Sequence, residues 1–493
     1  MDIHALPDAH LRIFERPVVP PPTAIRDIYL IGICGTGMGS LAGLLKAAGH
    51  AVRGADQNVY PPMSTRLAND GITVFKGYNA AHLNPAPDLV IVGNACTPTH
   101  PEAAYARTHG LVQQSFPEAL AHFFLANRRS LVIAGTHGKT STTGLVTHML
   151  EAAGKDPGFL VGGVMQGRDT SYQVGTGPHF VIEGDEYDSA YFDKQPKFLH
   201  YQPQSAIVTS MELDHTDIYA NWEIYQAAFR KFAGLLPADG TLVLCGDHQP
   251  VAALAAHTNA KVVTYGLDNS NHVSAINLTS DNKGQHFTLT VADTPVAQLF
   301  LPMHGAHNLS NALGACALLL AEGIAPAAYA AGLATYQGMK RRQEVRAVIN
   351  DIVIIDDFAH HPTAVKETIA AIKRGYPDRQ IRAIFEPRSN TSRRKDFQDR
   401  YVAAFAEAHA VMISAPPFRH NDDVSNFMDV DVLIHDIRAL GIEAAAYPDA
   451  EAILPDLVAQ ATAGDVVLVM SNGGFGGIHQ ALIDQLGEEK HEQ

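Results

Sequence analysis

Cysteine is scarce in this chain. The four cysteines, Cys34, Cys96, Cys245 and Cys316, are scattered without C-x-x-C spacing, which argues against a disulfide framework or a thiolate zinc site. Cations are also in short supply: 36 Lys and Arg face 51 Asp and Glu, for a net charge of −15. A nucleic-acid-binding protein needs a basic face, so no nucleic-acid partner is expected. No apolar run reaches the roughly 18 residues of a membrane span. The opening "MDIHALPDAHLRIFERPVV" carries charge throughout and has no apolar signal core, so a cytoplasmic protein without a membrane partner is expected. Low-complexity blocks and sustained repeats are missing too, which argues against solenoids and linker-dominated chains.

An acidic balance does not exclude an anionic small ligand. Charges farther than about 8 Å are largely screened at physiological salt, so local N–H groups, Lys, Arg and Mg²⁺ decide. At 493 residues, 46% hydrophobic and 18% charged, the chain has the composition of an ordinary soluble enzyme. Its length calls for roughly two to four domains.

The stretch "LVIAGTHGKTSTTGLVTHMLEAAG" (131–154) carries the sharpest chemistry. Leu131 to Ala134 suits a buried strand, and Leu145, Val146, Met149, Leu150 and Ala153 recur at helical spacing. Between them lies a short glycine-bounded loop, Gly135 to Thr140, ending in Lys-Thr. Strand, glycine loop, Lys-Thr and helix is the order of a phosphate-binding loop. Backbone N–H groups and the helix N-terminus face an anion, Lys139 reaches terminal phosphates, and the Thr140 hydroxyl meets magnesium. The loop is shorter than the common G-x-x-x-x-G-K-[ST], because Ile133 stands where the first glycine would be.

A second glycine turn, "GICGTGMGSLAG", follows the strand signal Ile28 to Ile31, and Asp56 ends the next strand. That spacing resembles a dinucleotide fold, but Cys34 breaks the G-x-G-x-x-G register. Alternating strand and helix signals run from there to the C-terminus, with a small antiparallel addition at "HFTLTV" (286–291). The expected fold is α/β in three consecutive domains: Rossmann-like, P-loop ATPase-like and Rossmann-like. Residues 1–24 form an N-terminal extension, 25–125 the first domain, 126–335 the ATP-binding domain and 336–493 the third.

Polar groups cluster where strands should end. Glu183 closes the strand of "HFVIEGDEYD", where a carboxylate can hold Mg²⁺ beside Thr140, unless its acidic neighbours merely form a solvated turn. Asp214 and His215 follow the strand "SAIVT" (205–209) in the same way, and His215 is a candidate ligand of a second ion. Asn308 and Asn311 share a face at a helix start; they either cap it or read an adenine edge. Arg342, in "KRR", is either a surface charge or a clamp on transferring phosphoryl oxygens. Asp357 and His360 follow the third domain's first apolar strand, where Asp357 could meet a ribose hydroxyl or a cation.

Taken together, "GICGTGMGSLAG", "GTHGKTSTT", "EGDEYD", "ELDHTD", "HNLSN", "KRRQE" and "DDFAHHP" resemble, in order and spacing, the Mur ligase family of peptidoglycan-precursor ligases. The segments 54–67, 191–203 and "FEPRSNT" (385–391) look like its murein peptide ligases. These join L-alanyl-γ-D-glutamyl-meso-diaminopimelate to UDP-N-acetylmuramate in peptidoglycan recycling. The resemblance implies ATP-dependent amide formation through an acyl phosphate, with ATP and two Mg²⁺ ions. It implies ATP contacts at Gly135, Thr136, His137, Gly138, Lys139, Thr140, Ser141, His307, Asn308, Asn311, Arg342 and Asp357. Metal ligands would be Thr140, Glu183 and His215, and the catalytic set Lys139, Glu183, His215 and Arg342. UDP-N-acetylmuramate would sit on Gly35, Thr36, Gly37, Met38, Asp56 and Asn94, and the peptide on Arg388, Ser389 and Asn390. The alternatives are the family's L-alanine ligase or, in another class, a nicotinamide-dependent dehydrogenase. A switch GTPase lacks its N-K-x-D motif here.

Overall fold

Among the described residues three large sheets follow one another along the chain, and Asp188–Ala190 pairs with Asp193–Pro196 in a separate two-stranded ribbon. The computed structural model describes residues 3–6, 8–216, 218–418 and 424–488; Asp217, the last residue of "ELDHTD", lies outside them. The first sheet has five parallel strands in the order Thr73–Lys76, Ala51–Asp56, Asp27–Ile31, Leu89–Val92 and Gln113–Ser115. Its central glycine turn leads into the helix Thr36–Ala47.

The middle sheet has ten strands. At its centre Arg129–Ala134 lies between Ser205–Val208 and His179–Gly184, all parallel. Strands such as Ser205–Val208 and Thr241–Cys245 are buried along their whole length, as expected where helices cover both faces of a parallel sheet. Ligand sites in such sheets lie beyond the carboxyl ends of the strands. Three adjacent central strands therefore deliver the phosphate loop, the "EGDEYD" turn and the "ELDHTD" turn to one edge. The antiparallel addition is a meander of Val273–Asp281, Gly284–Val291 and Thr294–Leu301. The third sheet has six strands, parallel except for the edge strand Glu344–Ile349.

Core packing does not follow the sheets one for one. A single apolar cluster runs from Ile28 and Leu41 of the first domain through Leu131 and Met149 to Met339. Tyr172 of the middle domain packs against Gly43 of the helix Thr36–Ala47, where any larger residue would collide with its ring. The third domain has separate cores on the two faces of its sheet.

Glu322, just past the helix Ala306–Ala321, ties the middle sheet together. It accepts from Arg129 Nε at 2.7 Å and Ser205 Oγ at 2.6 Å, and lies 3.3 Å from His179 Nε2. Burial alone would raise its pKa, but His179, Arg129 and Ser205 hold it at about 2. The stabilisation is thus present above the ordinary carboxylate range and lost as pH falls toward 2. Glu322→Gln is expected to cost about 1.5–3 kcal/mol at pH 7. Urea unfolding at several pH values should show the gap to the parent narrowing below about pH 4.5.

Candidate active site

The phosphate loop is shaped by two glycines with positive φ, Gly135 at 128° and Gly138 at 82°. A side chain at Gly135 would strike Thr209, and a Cβ at Gly138 would lie 2.5 Å from Asn311 Oδ1. Gly138→Ala therefore combines backbone strain with a clash against the proposed adenine end of the site. A loss of about 1–3 kcal/mol is expected, read as a lower melting temperature together with weakened ATP binding.

At the start of the helix Lys139–Ala152 the lysine curls back over its loop. Its Nζ donates to Gly135 O at 2.6 Å and to Glu186 Oε2 at 3.0 Å. Burial works against the ammonium, but Glu186, Asp185 and Glu183 outweigh it and raise the pKa above that of a free lysine. It is charged at neutral pH.

Glu186 is fully buried and joins this lysine to His215, whose Nε2 lies 3.2 Å from Glu186 Oε1. Despite its burial, Lys139 and then His215 hold Glu186 down at about 2. Sequence reasoning missed this residue: four carboxylates crowd "EGDEYD", and only the tertiary fold shows which are inside. His215 has a left-handed φ of 52°, an uncommon conformation for a non-glycine residue that concentrates at functional sites. The structure turns His215 toward Glu186 and Asp214.

Glu183 and Thr140 face each other, with Thr140 Oγ1 3.2 Å from Glu183 Oε2. Neighbouring ligands of an octahedral Mg²⁺ with bonds of 2.0–2.1 Å lie about 2.9 Å apart, so this pair of oxygens fits such an ion. Burial, then Asp185, pushes Glu183 up to about 7 against the pull of the Gly162 N–H, Lys139 and Arg342. A carboxyl so placed holds its proton near neutrality unless a cation replaces it.

Gly138, Lys139, Thr140, Glu183 and His215 open onto one cavity of about 750 Å³ between the middle and third domains, with buried Glu186 behind them. Thr136 to Ser141, Glu183, His215, His307, Asn308, Asn311, Arg342, Asp357, Ser389 and Asn390 line it. Asn308 donates to His304 O at 2.7 Å and lies 3.4 Å from Gln343, which in turn meets His307 at 3.0 Å. Cys245, Asp247, His248 and Leu267 extend this end of the cavity; no motif marks them.

Several residues expected to touch substrate also have partners within the protein. Asp357 accepts the backbone N–H groups of Gln343 at 2.8 Å and Ala359 at 2.7 Å, so it shapes the cavity wall. Arg388 lies outside the cavity lining, packed along Gly473 and 3.5 Å from Glu386. In the first domain Gly35, Thr36, Gly37 and Asn94 are exposed at one end of the parallel sheet. The Met38 side chain is buried in the core, and Asp56 accepts from the N–H groups of Cys34 and Asn58, both at 2.9 Å.

The third domain is docked on the middle one by polar contacts. Thr391 donates to Asp214, Thr363 to Glu212 at 2.8 Å, and Arg394 to Thr216 at 3.4 Å. Among the described residues no helix is long and apolar enough to cross a membrane.

Comparison with known proteins matches each domain. Residues 27–128 match the Mur ligase family, catalytic domain; 133–319 the Mur ligase middle domain; and 341–473 the Mur ligase, glutamate ligase domain. The chain is 37% identical over 94% of its length, and 98% of the relative's, to the UDP-N-acetylmuramate–L-alanyl-γ-D-glutamyl-meso-2,6-diaminoheptandioate ligase of Escherichia coli strain K12. It is 33% identical to the UDP-N-acetylmuramate–L-alanine ligase of Rhizobium etli, covering 94% of this chain and 98% of that one. A crystal structure of a murein peptide ligase from Psychrobacter arcticus superimposes with a TM-score of 0.69 at 36% identity, over 94% of this chain and 99% of that one. With all three domains matched in order and the relatives spanned end to end, this chain belongs to the Mur ligase family of ATP-dependent, Mg²⁺-using, amide-forming ligases.

Proposed function

We propose that this enzyme joins L-alanyl-γ-D-glutamyl-meso-diaminopimelate to the lactoyl carboxylate of UDP-N-acetylmuramate, with ATP cleaved to ADP and phosphate. The observation that carries the reading is the meeting of Lys139, Thr140, Glu183 and Glu186-bound His215 in one cavity closed by Arg342. The end-to-end likeness to tripeptide-adding relatives supports the choice of acceptor amine. ATP and a nucleotide-sugar substrate fit a cytoplasmic reaction.

The chemistry brings an anionic carboxylate onto an anionic phosphate. Mg²⁺ held at Thr140 and Glu183, with a second ion at His215, would neutralise charge between them. Lys139, at the mouth of its helix, reaches the β- and γ-phosphates once a triphosphate draws its Nζ from Glu186. Gly138 and the following N–H groups cradle the phosphates, while Asn308, Asn311 and His307 meet the adenine. Arg342, stacked over Phe358 at 4.8 Å, offers its guanidinium to the transferred phosphoryl oxygens from the opposite wall. A carboxylate oxygen attacks the γ-phosphorus and ADP leaves; the alanyl nitrogen then attacks the acyl carbon, loses its proton and displaces phosphate. Both attacks need reactants aligned across the domain gap.

The uridine diphosphate is assigned to the exposed turn of Gly35, Thr36, Gly37 and Asn94. The peptide is assigned to the Ser389 and Asn390 side of the cavity, with Arg388 at its rim. Ligation with UDP-N-acetylmuramate, ATP and either the tripeptide or L-alanine decides the amine. Clearly faster product formation with the tripeptide is expected, and faster ligation of L-alanine would assign the chain to the alanine-adding reaction.

A further inference from the structure

At the edge of the nucleotide cavity, which His137 also lines, lies a second group of metal-ligating side chains distinct from the proposed magnesium ligands. His137 comes from the phosphate loop, Glu212 from the turn after the strand Ser205–Val208, and His361 from the N-cap of the third-domain helix Pro362–Gly375. His137 Nε2 is 3.5 Å and His361 Nδ1 3.4 Å from the same oxygen, Glu212 Oε2. One ligand atom from each residue lies within 4.8 Å of the other two. Ligands of a tetrahedral ion with bonds of 2.0–2.1 Å stand about 3.3 Å apart, so little movement separates this triad from a coordination shell. The imidazole of His361 is 1% exposed, and its Nε2 has no hydrogen-bond partner.

Two imidazoles and one carboxylate suit zinc and its neighbours in the first transition row, whereas magnesium takes oxygen ligands and keeps its waters. Three protein ligands leave a fourth position for water. Groups facing the triad set the cost of occupancy. Thr363 donates to Glu212 at 2.8 Å and its N–H to His361 Nδ1 at 3.4 Å. Arg400 stands 3.4 Å from Glu212 with its side chain half exposed, so it can turn to solvent when a cation arrives.

We propose that His137, Glu212 and His361 form a binding site for one zinc-class divalent cation, separate from the magnesium ligands, that fastens the third domain to the phosphate loop. Two ligands belong to the middle domain and one to the third, so the ion would bridge them.

The test uses the full chain without nucleotide, so it stands apart from the choice of peptide substrate. Dialysis against micromolar zinc in excess magnesium should leave one zinc per chain. Cobalt in its place should give the visible absorption of a tetrahedral nitrogen–oxygen site. His361→Ala and, as a second variant, Glu212→Gln should each weaken zinc binding at least about tenfold, with circular dichroism confirming folding. Failure of the parent chain to retain zinc, or equal retention by the folded variants, would overturn the proposal.

Discussion

Replacing Lys139 with alanine is expected to lower ligation turnover at least about a hundred- to a thousandfold. The side chain is held between the Gly135 carbonyl and buried Glu186, so its ammonium waits beside the phosphate loop for a triphosphate to draw it over. Its charge is secure, because three nearby carboxylates outweigh the effect of burial. Removing it deletes the only lysine lining the cavity among the described residues and strands the Glu186 charge against His215. Single-turnover ADP release separates the two effects: a binding defect is relieved by more ATP, a phosphoryl-transfer defect is not. Near-parental turnover in a folded variant would take Lys139 out of the mechanism.

Glu183→Gln should raise the magnesium concentration for half-maximal activity at least about tenfold and depress turnover even at saturation. The amide keeps the shape and can still accept from the Gly162 N–H, 2.7 Å away. It cannot supply the negative charge that a divalent ion needs. The readout is a magnesium titration at fixed ATP, and an unchanged curve would exclude Glu183 as a ligand. Gly162 and Thr140 flank the carboxylate, so a folded variant is expected to keep the cavity's outline.

Which parts of the molecule were legible before the fold was known follows from physics. A strand buried along its whole length appears as an apolar run, so 241–245 could be placed to the residue, and the β-branched run of 261–265, though only partly buried, was placed as well. The phosphate loop was legible because glycine, lysine and threonine sit there for backbone and charge reasons that hold wherever the chain folds. Acids were harder. Asp56, Asp357 and Glu183 all stand at strand ends and all accept local N–H groups, so spacing does not distinguish an acid facing a ligand from one bracing a turn. Arg388 stands at the same strand edge, packed along Gly473 and outside the cavity lining; a strand's register does not say which way its terminal side chain turns. Glu186 was hidden among look-alike neighbours until burial singled it out.

The division of the apolar cores has a mechanical consequence. Since the first two domains share one cluster while the third keeps its own, parting the first two would wet hydrocarbon. Swinging the third outward mainly trades threonine, arginine and carboxylate contacts for water. Any opening of the cavity is therefore expected to pivot beyond Met339, which stays buried in the shared cluster, so that the pair ahead of it would travel as one rigid jaw.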